Sequence, residues 1–112
     1  MNFKKLRIYK KALDLVVIIY QLINDNPKLA KDFAIVDQLK RAVISVVLNI
    51  AEGNIRTIKV SKNYLKISIG SCNETEALLE IINGVYHIKT DHLINEYEIL
   101  AKQISAFIKS FK

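Results

Sequence analysis

Leu6, Tyr9, Leu13, Val16, Tyr20 and Ile23 recur at steps of three and four, which is the spacing of one face of an α-helix. Asn24-Asp25-Asn26-Pro27 then stops the pattern. A second predicted helix starts near Asp32 and carries Val36, Leu39, Val43, Val46 and Ile50 on one stripe, with Gly53 where a C-cap glycine belongs. After the short linker Asn54 to Thr57, a third helix capped by Thr57 or Ser61 runs to about Ile88 through Leu65, Ile67, Leu78, Leu79, Ile81, Ile82 and Val85. Thr90 or Asp91 caps a fourth, in which Leu93, Tyr97, Leu100, Ile104, Phe107 and Phe111 keep the same step to the end. No stretch calls for a strand. Short connections force antiparallel neighbours, so the expected fold is all-α, an up-down-up-down four-helix bundle forming a single domain over residues 1–112.

The first two helices carry more apolar residues than one buried face needs. Ile8, Ala12, Leu15, Ile19 and Leu22 lie beside the first stripe, Val17 and Ile18 beyond it, and the second helix adds Ile44, Val47 and Leu48. A helix in a lone bundle buries one face, so the surplus predicts a second buried face supplied by other copies of the chain, assembled into a ring. A wide core stripe with scattered exposed Val and Ile is the plainer reading.

Composition narrows the class further. The chain is 51% hydrophobic and 25% charged, with 3 Gly and 1 Pro, which excludes disorder, collagen and a turn-rich sandwich. Its net charge of +6 permits an anionic partner without requiring one. The single cysteine, Cys72, cannot close an internal disulfide, and a reduced, cytoplasmic setting fits it. Lys4, Lys5, Arg7, Lys10 and Lys11 ahead of an apolar stretch imitate a signal peptide. Gln21, Asp14 and the absence of a small-x-small cleavage site argue for a helix that stays. No run is long enough to span a membrane.

Within the second helix Gln38, Arg41, Ser45, Asn49 and Glu52 form a polar line flanked by aliphatic residues. In the third, the apolar stripe Tyr64, Ile67, Leu78, Ile81 is interrupted by Ser71 and Glu74, beside Ser68, Gly70 and Cys72. A hairpin about the Asn54–Thr57 turn sets Arg41 opposite Ser71 and Gln38 opposite Glu74, so a mostly buried Arg41–Glu74 contact is expected, with Asn49 and Ser71 completing the seam. Such a seam fixes helix register more readily than it performs catalysis.

These residues also form a recognisable set: Gln38-Leu39-Lys40-Arg41-Ala42, then Asn49-Ile50-Ala51-Glu52-Gly53 with Arg56 following, then Gly70-Ser71-x-x-Glu74. The set resembles the bacterial four-helix bundle family of proteins encoded in intervening sequences of 23S ribosomal RNA genes, which includes the accessory variability proteins of diversity-generating retroelements. Lys40 stands where that family usually has a second Arg, which keeps the charge but loses the planar guanidinium. The resemblance implies a homo-oligomeric ring, typically a pentamer, and makes nucleic-acid binding the leading function. It also admits a protein partner such as a reverse transcriptase.

Catalytic signatures are missing. Neither His87 nor His92 has a Glu three residues before it, so the di-iron pattern of helical bundles fails, and no metal or other cofactor is expected. There is no G-x-S-x-G, P-loop, H-E-x-x-H or paired Cys, and Glu76 with Glu80 reads as a solvated acidic face. The chain is therefore read as non-enzymatic. Positive charge, by contrast, follows the helical step twice, as Arg56, Lys59, Lys62 and Lys66 and as Lys4, Arg7 and Lys11, while acids gather at Glu74–Glu80 and Asp91–Glu98. Two basic stripes without base-stacking aromatics predict binding to structured RNA or RNA/DNA through phosphates and shape. The other reading is an oligomeric scaffold for proteins with no specific nucleic-acid binding.

Overall fold

The computed structural model describes residue 3, residues 6–54 and residues 57–111. Its elements are α1 (Arg7–Asp25), a short α2 (Pro27–Ala30), α3 (Phe33–Gly53), α4 (Ile58–Tyr86) and α5 (Asp91–Lys109), with no strand among the described residues. The four long helices run antiparallel in sequence order. α1 packs on α3 and α5, α4 packs on the same two, and α1 and α4 sit on a diagonal of the bundle, which measures 46 × 21 × 18 Å.

Each boundary has a local cause. Asn26 turns its amide back onto the Leu22 carbonyl at 2.7 Å as α1 ends, and Pro27, with φ already fixed and no N–H to lose, opens the unpredicted α2. Asp32 accepts from the Ile35 amide at 3.4 Å to cap α3, and Thr57 does the same for Val60 at 3.4 Å to cap α4. α4 stops at Tyr86 because His87 takes a left-handed conformation, φ 57°, and returns its N–H to the Asn83 carbonyl, which leaves Ile88 outside the helix. The Tyr86 hydroxyl then reaches across to Asp32 at 2.6 Å. Thr90 tucks its buried hydroxyl onto the Leu79 carbonyl at 2.8 Å, so α5 starts below the top of α4.

The core runs through Ile19, Leu39, Val43, Val46, Ile50, Leu65, Leu79, Ile82, Tyr97, Leu100 and Ile104, all fully buried, and Leu29 of α2 joins it at the end of the bundle. Each of the larger side chains contributes roughly 1.5–3 kcal/mol by leaving water. Three expectations are corrected here. The face that α1 buries is Ile8, Ala12, Leu15, Ile19 and Ile23, while Leu13 of the expected stripe is 43% exposed, because apolar residues surround most of this helix and spacing alone offers two acceptable stripes. On α4 the buried line is Ser61, Leu65, Ser68, Cys72, Thr75, Leu79 and Ile82, and the expected stripe members Ile67, Ile81 and Val85 are exposed. Gly53 is a helical residue with no positive φ; a Cβ there would lie 3.0 Å from Leu65 Cγ and 3.2 Å from the Ser61 carbonyl oxygen, so it is the close approach of α3 and α4 that requires glycine.

Candidate functional site

Three features compete as the functional surface: the α3–α4 seam, the basic faces, and the grooves on either flank of α5. The seam is built from hydroxyls. Ser45 Oγ and Ser71 Oγ lie 2.8 Å apart, and Asn49 Nδ2 donates to the Ser45 carbonyl at 2.8 Å and to Ser45 Oγ at 3.0 Å. Ser68 donates to the Val46 carbonyl and Thr75 to the Ser71 carbonyl, each at 2.8 Å. Small side chains let the two backbones approach, and every hydroxyl they bury here has a partner.

Ser71 thus meets Ser45, one helical turn from the expected partner Arg41. Arg41 points to solvent and holds Asp37 through Nε at 2.9 Å, while Gln38 and Glu74 are exposed and Glu52 is half-buried. The expected buried Arg41–Glu74 contact does not form, because an i, i+4 carboxylate on the same helix is nearer to the guanidinium than anything on α4. What remains inside, Ser45, Asn49 and Ser71, contains nothing that titrates near neutral pH.

Nucleophiles and metal ligands fare no better. Burial, helped by nearby Glu76, pushes the Cys72 thiol up to about 12, so it stays protonated and unreactive at neutral pH. Tyr97 beside it is fully buried with no hydrogen-bond partner for its hydroxyl among the described residues. No three His, Cys, Asp or Glu side chains gather as a metal site among those residues. No described helix is long and apolar enough to cross a membrane.

Of the predicted basic residues, Lys4 and Arg56 lie outside the described residues. Lys59 and Lys66 are exposed and Lys62 is half-buried on the first turns of α4, none of them in an ion pair among the described residues. Arg7 is exposed on α1, but Lys11 is committed to Glu96 of α5 at 2.9 Å, and the hydrogen bond it donates holds that carboxyl below its ordinary value. Because α1 and α4 are diagonal, the two basic stripes stand on opposite corners of one chain.

Pairing of α1 with α5 also assembles a cationic surface that no single stretch of sequence contains. A groove of about 700 Å³ between them is rimmed by Arg7, Lys10, Lys11, Lys89 and His92 over a floor of Leu15, Ile18 and Leu93. Lys10 follows Arg7 at a helical step of three on α1, whereas Lys89 sits in the connection before α5 and His92 on its first turn; the antiparallel packing of α1 and α5 joins them. On the other flank of α5 the grouping is acidic: Glu80, Asp91 and Glu98 line a second groove, with Glu76 close enough that burial and then Glu98 and Glu80 raise its carboxyl above the ordinary value.

A family model described as 23S rRNA-intervening sequence protein matches residues 4–110. A crystal structure of a protein with unknown function from the S23 ribosomal protein family of Bacteroides thetaiotaomicron is similar at 25% identity and a TM-score of 0.82, covering 92% of this chain and 99% of that one. No curated protein matches the chain.

Proposed function

Because the chain belongs to the 23S rRNA-intervening sequence protein family, we propose that it is a non-enzymatic, homo-oligomeric helical bundle that binds structured nucleic acid through its basic helix faces. The observation that carries the reading is the outward run Lys59, Lys62 and Lys66 at the start of α4, unpaired by acids among the described residues. Lysines on one helix face at steps of three and four track a phosphate backbone without reading bases, so the ligand is recognised by charge and shape.

Self-association is supported by apolar surface. Lys40 sits over the Tyr20 ring at 4.7 Å, and the antiparallel register this fixes brings Val17 level with Ile44 and Leu13 level with Leu48. All four are exposed, between 37% and 57%; Val17, Ile44 and Leu48 come from the surplus expected on these helices and Leu13 from the expected core stripe, whereas Ile8, Ala12, Leu15, Ile19 and Val47 of that surplus are buried in the chain's own core. A pentamer is the assembly proposed. The same face favours the second reading, a scaffold for a protein such as a reverse transcriptase with little nucleic-acid affinity of its own.

Salt titration of binding to a structured RNA separates the two. Replacing Lys62 and Lys66 by Gln lowers the slope of log K against log salt by about 0.7–0.9 units for each phosphate no longer neutralised. Lys102→Gln with Lys109→Gln, off these stripes, leaves the slope nearly unchanged. Equal reductions from both pairs refute a localised site and leave the scaffold reading.

A further inference from the structure

The cationic and acidic grooves stand at the same height on the bundle. Lys11 is bonded to Glu96, the neighbour in sequence of Tyr97, whose phenol lies beside Cys72; Glu76 is one turn further along α4 from Cys72 and crowds against Glu80 and Glu98. Each flank is unbalanced within one chain. Arg7, Lys10, Lys11 and Lys89 outnumber Asp14 and Glu96 on the α1 side, and the carboxylates on the α4 side have Lys102, 3.9 Å from Glu98, as the one opposing cation in an ion pair among the described residues.

We infer that the α1–α5 groove of one protomer receives the acidic α4–α5 edge of a second copy, which makes the contact between protomers head-to-tail. This rests on the self-association proposed above and adds to it a charged contact distinct from the apolar face of Leu13, Val17, Ile44 and Leu48 on α1 and α3. Side-by-side apposition with no axial slip places Lys10 and Lys89 against Glu80 and Glu98 and relieves the repulsion that each flank carries in a lone chain. The apolar floor of Leu15, Ile18 and Leu93 loses water in the same step. Because the two faces differ, the contact is not two-fold. Both faces flank α5 and look in different directions, so successive copies turn the same way, as closure into a ring requires.

Paired charge reversals test this by light scattering coupled to gel filtration, with circular dichroism to verify folding. Lys10→Glu/Lys89→Glu leaves a chain acidic on both faces, and Glu80→Lys/Glu98→Lys one basic on both. Each alone is expected to dissociate, with the dissociation constant raised about a hundredfold or more, while in an equimolar mixture the two variants bind each other into mixed species, which cannot alternate all the way round a five-membered ring because one like contact is unavoidable there. Either variant keeping the wild-type mass overturns the inference, as does a mixture of two folded variants that stays dissociated. Should a reversal unfold the chain, Lys10→Gln/Lys89→Gln and Glu80→Gln/Glu98→Gln replace it, each expected to weaken assembly about tenfold, and no weakening is a refutation. A monomeric wild type defeats self-association itself, whereas an oligomeric wild type indifferent to these changes defeats the choice of faces.

Discussion

Replacing Tyr97 by Phe should stabilise the protein. The side chain is fully buried between α4 and α5, and its hydroxyl has no hydrogen-bond partner among the described residues. Burying a hydroxyl without a partner costs about 1–3 kcal/mol relative to leaving it in water. Removing one oxygen empties no more than a water-sized space, a penalty of only about 0.3 kcal/mol at roughly 24 cal/mol per Å³. The net expected gain is therefore about 1–2 kcal/mol, or a rise in Tm of about 4–8 °C for a chain of this size. Urea denaturation at pH 7 followed by circular dichroism measures it. A second arm uses alkali. Burial, then the neighbouring Cys72, raises the Tyr97 phenol above its ordinary value, so the unfolded chain releases that proton first as pH passes about 10. Stability from this group is complete below that pH and falls as pH rises, so the advantage of Phe widens in alkali. A Tyr97→Phe variant that is less stable at pH 7 by about 1 kcal/mol refutes the reasoning and means that the hydroxyl is hydrogen-bonded in solution.

Cys72, raised from 9.0 to about 12, contributes stability that is full below pH 9 and is lost between pH 9 and 12; Cys72→Ala should flatten that limb, and native thiol labelling at pH 8 should proceed no faster than unfolding. Gly70→Ala, whose Cβ meets nothing within 4 Å, should stabilise by about 0.5–1 kcal/mol, whereas Gly53→Ala should destabilise by about 1–2 kcal/mol against Leu65 and the Ser61 carbonyl; equal responses in urea melts refute the close approach. Arg41→Ala should cost less than about 0.5 kcal/mol and show no coupling to Glu74→Ala in a double-mutant cycle.

Helix existence was legible because the stop and start signals are chemical. Asn26 and Pro27 end α1, and Asp32 and Thr57 cap α3 and α4 with the oxygens the pattern called for. The partners on the seam were legible by type, since Ser45, Asn49 and Ser71 do converge, but not by register. The linker between α3 and α4 does not specify phase, and a slip of one turn keeps every helix face intact while changing which residue meets Ser71. The inward face of α1 was hidden for a different reason: with apolar residues around most of its circumference, periodicity offers two acceptable stripes. Ser68 was legible as a small seam residue, but the burial of Thr75 was not, because a hydroxyl scores as polar until a helix carbonyl is available to accept from it. The cationic groove needed residues from both ends of the chain, which no local window spans.

The groove between α1 and α5 has a kinetic consequence as well. It marks the edge along which α1 fails to close fully on α5, so α1 is held chiefly by α3 through one hydrophobic face and by the Lys11–Glu96 tie. A helix whose pairings are all weaker than those joining the other three opens first. Amide hydrogen exchange in mild denaturant should therefore resolve α1 as a separate opening unit, exchanging in a sub-global event while α3, α4 and α5 remain protected until the whole chain unfolds. The segment from Asn26 to Lys31 is the hinge for that event, and buried Leu29 is the anchor that keeps the hinge from travelling with the helix it releases.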